Sequence, residues 1–544
     1  MDSSLSKGKK VHVFFLCALA AVFALQIWKS FQGIGPQDEH CYIALGYRIV
    51  KGDALIYDEW HVTQLISLFI APLIHLYIAI AGTMDGVVLF FRIAYVVFTM
   101  ICALALYLRF RDQGLPAALA GLVYMLFTPF NIMTLSYNTM SIGFLLLSQM
   151  MRDDSSRLKS FLSGILFAWA VLNTPYLALV YIIETVLAFW KKTDASFREW
   201  GSRTLGIAVS AGLFFILLFS RASFAQILEG LPHLLDKGHT DSALILLLKG
   251  TGKLFQAFSV FLLLFALEAA AALFFRTKKE KRKAVLLAAM PVNLLSAVYV
   301  LFLRPYYPEL GGHALILFSF AWTGLVAWLL FPEKIGSFEK SCFVLSAVHA
   351  FLVAVSSNVG PRSFCSMLIT ACSMTVLFLA ECTEEEVPGR STVFAVLFAL
   401  FLLTARVTGL YDCEGILNTR ITRGPLAGLI AAENEAELCD RLLADVKELN
   451  GMREDNAVFV SYNAWEYLAF EKGVATNSAY INPGFEQEWI DNQDAYYSVH
   501  PEKFPAFYYL DSTGAPYDWD GSEPFFEKLE KVKDMRCGIL FIRR

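Results

Sequence analysis

A chain of 544 residues with 56% hydrophobic residues, 14% aromatics, 17% charged residues and a mean hydropathy of +0.52 is too apolar for a water-soluble globular domain. Its formal net charge of −4 gives no basic footprint of the kind that nucleic-acid binding needs. What remains is an integral membrane protein.

The first apolar run, VHVFFLCALAAVFALQIWK at 11–29, follows SLSKGKK. It is long for a signal-peptide core and lacks a small-residue cleavage site, which predicts a retained first helix with a cytoplasmic N-terminus. The next stretch, FQGIGPQDEHCYIALGYRIVKGDALIYDEWH at 31–61, places two adjacent carboxylates, Asp38 and Glu39, ahead of Cys41, Ala44, Leu45 and Ile49. That pattern suits an amphipathic helix lying on the outer leaflet. The loop continues with Asp53, Asp58, Glu59, Trp60 and His61.

Basic loops collect on the cytoplasmic side. The markers here are KGKK at 7–10, RFR at 109–111, RDDSSRLK at 152–159, the lysines and arginines of 191–203, and RTKKEKRK at 276–283. They all fall inside only if QLISLFIAPLIHLYIAIAG at 64–82, broken by Pro72 and carrying His75, re-enters or lies at the outer interface. The second crossing is then 87–108. Further crossings are expected near 115–133, 138–151, 160–174, 175–190, 204–220, 254–275, 284–303, 314–331, 342–356, 364–381 and 391–409. With the first, these make about 13 transmembrane helices and put the C-terminus outside. The run at 138–151 is short, and 160–190, split at Asn173-Thr174-Pro175, can also be read as one helix. The external segments are 30–86, 134–138, 173–175, 221–253, 304–313, 357–363 and everything after the last crossing.

Residues 411–544 carry 24 Asp and Glu against 13 Lys and Arg, whereas the rest of the chain has 25 against 32. The two parts therefore face different surroundings, as a membrane domain (1–410) and a small extracytoplasmic α/β domain (411–544). In the latter, AENEAELCDRLLADVKELN, AWEYLAFEKG and EPFFEKLEKVKD are helix-like, and NAVFVSY, PAFYYLD and CGILFIRR are strand-like. This is the rhythm of a parallel sheet. It has no Gly-rich phosphate loop. The ten cysteines include no CxxC pair, and six lie in or beside apolar runs, so no zinc or redox framework is visible. Cys413, Cys439 and Cys537 would form one disulfide only in an oxidising compartment.

Two carboxylates facing a closed cavity can divide labour, one deprotonating an acceptor hydroxyl and the other binding a metal or a sugar hydroxyl. At a helix N-terminus they are equally what the helix dipole favours. The other external loops offer Tyr137 and Asn138; Lys237, His239 and Asp241; Arg304, Tyr306, Tyr307, Glu309 and His313; and Asn358, Arg362 and Ser363. Arginines there pair bidentately with phosphate or snorkel from helix ends. Glu184 and Glu268 lie inside expected crossings, where acids are functional candidates, and His349 reads as a core histidine.

A retained first helix, an external Asp-Glu pair on an amphipathic helix (QDEHCYIALGYRIV), a Pro-broken apolar stretch and then many crossings resemble the GT-C fold glycosyltransferases, which include the protein O-mannosyltransferases and the lipid A aminoarabinose transferases. The motif-level likeness covers about residues 11–190. It implies transfer of a sugar from a polyprenyl-phosphate carrier to an acceptor hydroxyl on the outer face, with inversion at the anomeric carbon. It makes Asp38 the acceptor-activating base and Glu39 its supporting acid. Relatives commonly have a further acid in the segment matching TLSYNTMSIGFLL, where this chain has Asn138; that departure weakens any case for a metal held between two loops. Arg304 and Arg362 stand in loops where relatives hold the carrier phosphate, and His61, Tyr137, Asn138 and His313 complete the expected substrate-binding set. RGPLAGL at 423–429 is expected to be a membrane-proximal loop near the site.

The expected function is thus a polyprenyl-phosphate-dependent glycosyltransferase of a bacterial cell membrane. Its partners are the lipid-linked donor, a glycan, lipid or protein acceptor, and the bilayer. No particular cofactor is implied, and a divalent cation is left open. A flippase of lipid-linked sugars would need internal repeats or broken charged helices at the midplane, and no convincing repeat links the two halves. A polysaccharide polymerase or ligase would centre on a large later loop, whereas here the largest loop between crossings is 30–86.

Overall fold

The computed structural model describes residues 2–152, 155–191, 194–235, 242–303, 312–357, 360–383, 389–408, 415–452, 456–481, 486–513, 521, 526–527 and 529–543. Helix α1 (Asp2–Ser30) leads to the short α2 (Gln37–Val50) and α3 (Ser67–Ala81). The helical body continues through α4 (Val87–Phe110), α5 (Leu115–Leu126), α6 (Tyr137–Met150), α7 (Arg157–Asn173), α8 (Ala178–Lys191) and α9 (Asp194–Phe219). Next come α10 (Phe224–Leu235), α11 (Ala243–Phe258), α12 (Val260–Phe275), α13 (Lys279–Leu303), α14 (Gly312–Leu330), α15 (Ser337–Ala354), the short α16 (Pro361–Ser366), α17 (Ile369–Thr383) and α18 (Arg390–Thr408).

Every expected crossing coincides with a helix, but the helices differ in reach. Among the described residues, seven segments are long and apolar enough to cross a membrane unaided: six of the expected crossings and Gln64–Ala81. The expected single span 254–275 is instead broken at Ser259, whose φ of 46° turns α11 by 99° from α12. Helices α5 and α6, with 12 and 14 residues, cover only about 18 and 21 Å at 1.5 Å per residue, less than the roughly 30 Å of hydrocarbon.

The early end of α5 follows from Pro129. A proline disfavours helical backbone at the residue before it, and Thr128 is extended at φ −130°, ψ 120°. Phe130 and Asn131 then adopt φ of 57° and 60°. Helix α6 restarts on a Ser136/Thr139 capping box, which satisfies its first N–H groups. Between these helices, irregular backbone is buried inside the protein, the setting in which such backbone is tolerated at membrane depth.

Although Gln64–Ala81 is apolar enough to cross, both of its flanks meet the C-terminal domain. Before it, the Trp60 N–H donates to the Asn477 carbonyl at 2.8 Å; after it, the Gly86 N–H donates to the Gly424 carbonyl at 2.9 Å. Asp85 Oδ1 accepts the Gly424 N–H at 2.9 Å. The chain from α1 to α4 therefore returns to the end of the body from which it left. RGPLAGL takes part in that junction, and just past it Ile430 exchanges backbone hydrogen bonds with Phe31 and Gly33, at 2.7 and 2.8 Å.

In the C-terminal domain, β1 (Thr419–Arg420) and β2 (Ile430–Ala431) form a small antiparallel pair. Helix α19 (Glu433–Asn450) precedes β3 (Asn456–Val460), the one-turn α20 (Glu466–Ala469), β4 (Gly473–Val474), α21 (Glu486–Val499), β5 (Phe507–Asp511), β6 (Leu529–Asp534) and β7 (Gly538–Arg543). The sheet order is β4-β3-β5-β7-β6. It is mixed rather than parallel: β3 runs parallel to β4 and β5, but β7 is antiparallel to β5 and β6.

LEKVKD, expected within a helix, is the edge strand β6, buried only at Leu529. Its exposed lysines and the irregularity between Lys531 and Lys533 are devices by which edge strands resist further pairing. Helix α21 was not expected from the sequence. Its Trp489 packs with Val458, Val460 and Leu510 of the sheet. Cys439 and Cys537 are buried free thiols, and Cys413 lies outside the described residues.

Candidate active site

Helix α2 begins after a tight corner at Gly35, whose φ is +92°. A Cβ there would strike Arg92 Nη2 and Glu39 Oε2, so the corner demands glycine both for its backbone and for space. Glu39 is 0% exposed. Its Oε2 accepts from Arg92 Nε and pairs with Nη2, both at 2.8 Å, and its Oε1 accepts the Met133 N–H at 2.6 Å. Arg92, on α4, also donates to the carbonyls of Ser30, Gly33 and Ile34. Glu39 thus ties α2, α4 and the α5–α6 connection together. Both of its carboxylate oxygens are engaged by these partners.

Asp38, its neighbour, is only partly buried. Its Oδ1 accepts the Tyr480 hydroxyl at 2.8 Å, across 442 residues of sequence. Burial raises the Asp38 pKa, opposed by the Tyr480 hydrogen bond and by the charge of Arg362. Burial and then the Asp38 charge hold the Tyr480 hydroxyl above the ordinary phenol range, so it stays a donor.

The Tyr480 ring stands edge-on to His61 at 5.2 Å, and His61 Nδ1 lies 2.8 Å from Thr63 Oγ1. Tyr137, at the start of α6, meets Tyr42 edge-on at 5.9 Å and lies beside the buried Asn138. Arg362 donates to the Phe130 carbonyl at 3.3 Å and lies 5.1 Å from the centre of its ring. The strained backbone after Pro129 therefore aims one carbonyl at the arginine whose charge acts on Asp38.

The expected Asp38, His61, Tyr137, Asn138 and Arg362 thus come together. Arg304, Tyr306, Tyr307 and Glu309 lie outside the described residues, as do Lys237, His239, Asp241 and Asn358. His313 is in the first turn of α14; its side chain is not among those described. Ser363 is buried, with its hydroxyl 3.3 Å from that of Ser357. Glu184 pairs with Arg152 and Arg203, Glu268 lies beside Asn293 and Trp322, and His349 is buried.

Four site residues escaped the sequence reading. Tyr480 comes from the C-terminal domain, and Arg92 seals Glu39. Arg406 donates to Gln26 and to Asn131, each at 2.7 Å, and Lys29 donates to the Arg406 carbonyl. The signal for Arg92 was present, as an arginine inside an apolar run is expensive and marks function or structure. Arg406, inside the run at 391–409, carried the same signal, whereas the partners of Lys29 and Tyr480 lie at sequence distances that no local pattern bridges.

The C-terminal domain is clamped onto the loop after α2. Arg48 pairs with Asp53 and Glu59, both at 2.6 Å, and Lys503 pairs with Asp53 and Asp58 at 2.7 and 2.8 Å. Burial pushes Asp53 up, but Arg48 and Lys503 outweigh it and leave its pKa below the ordinary carboxylate value. Trp60 stacks on His233 of α10 at 4.0 Å.

A divalent ion would need several converging acidic or imidazole ligands. Among the described residues, no group of three His, Cys, Asp or Glu side chains converges in that way, and Glu39 is committed to Arg92. The described residues therefore offer no such ligand set beside Asp38.

Neither a known protein family nor a curated protein matches the chain. Among solved structures, it is similar to the crystal structure of ArnT from Cupriavidus metallidurans bound to undecaprenyl phosphate, at 10% identity and a TM-score of 0.42, covering 97% of each chain. It is also similar to the apo state of that protein, at 11% identity and a TM-score of 0.39, again over 97% of each chain. Likenesses this distant say nothing of activity.

Proposed function

We propose that this chain is a membrane glycosyltransferase that moves a sugar from a polyprenyl-phosphate carrier to an acceptor hydroxyl on the face of the membrane bearing the C-terminal domain. The observation that carries this reading is the unequal fate of the two acids. Glu39 is sealed by Arg92 and the Met133 N–H, whereas Asp38 stays partly exposed, hydrogen-bonded to Tyr480 and within the field of Arg362. The resemblance of QDEHCYIALGYRIV and its setting to the GT-C glycosyltransferases supports the same assignment.

In this mechanism Asp38 takes the proton of the acceptor hydroxyl as its oxygen attacks the anomeric carbon. The bond between that carbon and the carrier phosphate oxygen breaks, and the electron pair leaves with the phosphate. Arg362 stabilises the charge gathering there, a contribution that grows in the transition state. The products are the glycosylated acceptor, with inverted configuration, and the polyprenyl phosphate, and Asp38 then releases its proton to solvent. A carboxylate raised by burial is a better base at neutral pH than an ordinary one.

The test is transfer of radiolabelled sugar from a polyprenyl-phosphate donor by membranes containing the protein. Asp38→Asn is expected to lose about 100-fold or more of the rate. Asp112→Asn, at a fully exposed side chain, is expected to keep it. Unaltered transfer by Asp38→Asn would overturn the assignment.

A further inference from the structure

Helix α10 covers the loop after α2 with one side and leaves a second apolar side uncovered. Its 12 residues span about 18 Å at 1.5 Å per residue, too little to cross the roughly 30 Å of hydrocarbon. It begins as a new helix after α9, on a reciprocal cap between Ser223 and Gln226. The Ser223 N–H donates to Gln226 Oε1 at 2.8 Å, and the Gln226 N–H donates to Ser223 Oγ at 3.3 Å. Arg221, in the turn between the helices, donates to the carbonyls of Ile49 and Asp53. The turn is thereby tied to the end of α2.

At about 3.6 residues per turn, α10 presents three sides. Ile227, Leu231 and Leu234 pack into a cluster with Leu55, Ile56 and Leu218. Gln226, Glu229 and His233 share a polar side, from which His233 stacks on Trp60 at 4.0 Å. Between these two sides, Gly230 meets the loop so closely that a Cβ would strike the Ile56 carbonyl. Phe224, Leu228 and Pro232 make up the third side, which is exposed. Phe224 is 64% exposed and Leu228 51%, so the helix has more apolar surface than its packing uses.

This third side continues the outer surface of α9, a helix apolar enough to cross a membrane over Phe197–Phe219. Phe215 and Phe219, both exposed on α9, stack at 6.1 Å, and Phe219 meets Phe224 at 6.4 Å. A row of exposed rings thus runs from the end of a crossing helix onto α10. Apolar side chains on such a row match hydrocarbon rather than water, while the exposed Glu229 suits the water side of an interfacial helix.

We propose that α10 lies in the leaflet on the side of the C-terminal domain, with Phe224 and Leu228 among the acyl chains, and that this insertion holds the 54–61 loop in place through Gly230 and His233. The test uses the full-length protein in phospholipid nanodiscs, in a Cys17→Ser, Cys413→Ser background, with a nitroxide label on Phe224→Cys, Leu228→Cys or Glu229→Cys. Labels at 224 and 228 are expected to collide with oxygen in preference to a soluble nickel chelate, at about 5–10 Å into the headgroup and acyl boundary. The label at 229 is expected to prefer the chelate. Chelate preference at 224 and 228 overturns the proposal, and so does spin–spin broadening between chains, which a second copy seated on this side would give. Hydrogen exchange reads the hold on the loop. Leu228→Asp is expected to raise exchange at 54–61 and leave β3 protected, whereas Leu228→Phe keeps the native pattern. Equal exchange at 54–61 in the native protein and both variants overturns the hold. Neither readout depends on the transfer reaction.

Discussion

The Tyr480 hydroxyl donates to Asp38 Oδ1 at 2.8 Å, so a side chain of the C-terminal domain sets the electrostatics of an acid on the first short helix of the membrane domain. In Tyr480→Phe the ring and its contact with His61 are kept, and only the donor is lost. That donor lowers the Asp38 pKa, so its removal raises it further. A base must be ionised to act, and the acid limb of the pH–rate profile is expected to move up by about one unit, since a hydrogen bond to a charged group contributes about 1.5–3 kcal/mol. An unmoved limb would show that Asp38 is not the group titrating there.

Glu39→Gln is expected to act on stability before chemistry. It leaves the fully buried Arg92 without a counter-charge, which costs about 3–5 kcal/mol. Removing both charges in a Glu39→Gln, Arg92→Met protein should cost less than the sum of the single changes. Thermal unfolding of the four proteins in detergent reads this coupling, and strict additivity would refute it.

Arg362→Ala is expected to raise the KM for the lipid-linked donor by about tenfold or more, as loss of a charge-assisted contact to phosphate would. Arg362→Lys keeps the charge without the planar fork and should recover only part of the loss. Donor and acceptor titrations separate this from a general defect, because acceptor KM should hold steady.

Asp53 gives the junction between loop and C-terminal domain an acid dependence. Its folded pKa lies below the ordinary carboxylate value, so its stabilising effect is complete above the unfolded value of about 3.9. That effect is lost as pH falls through the folded value. Hydrogen exchange at residues 51–61 should rise below about pH 4, and in Lys503→Met the rise should begin at higher pH. Exchange that ignores pH in this range would count against the clamp.

Val62→Cys and Thr83→Cys, on exposed positions flanking α3, should react with an impermeant thiol reagent from the same side of the membrane as the C-terminal domain. Labelling from opposite sides would make α3 a crossing helix, as its length and composition alone allow.

What the sequence disclosed was whatever is written locally. The apolar runs, the Asp-Glu pair at the start of an amphipathic helix and the Pro-broken stretch at 64–82 all depend on neighbours within a few turns. Glu39 was harder, because its role depends on Arg92, 53 residues away, and an adjacent acid pair looks the same whether one member is sealed or both are free. The parallel sheet was overcalled because LEKVKD has helix-forming residues, whereas pairing with β7 makes it a strand; tertiary context outweighs propensity in such short segments.

The bond between Tyr480 and Asp38 also orders events in time. A ribosome delivers Asp38 early and Tyr480 442 residues later, when the membrane helices have already emerged. Until then the acid lacks the phenol that tunes it, and the loop after α2 lacks Lys503 to clamp it. A partly made chain therefore lacks both the Tyr480 bond to Asp38 and the Lys503 clamp until those residues have been made.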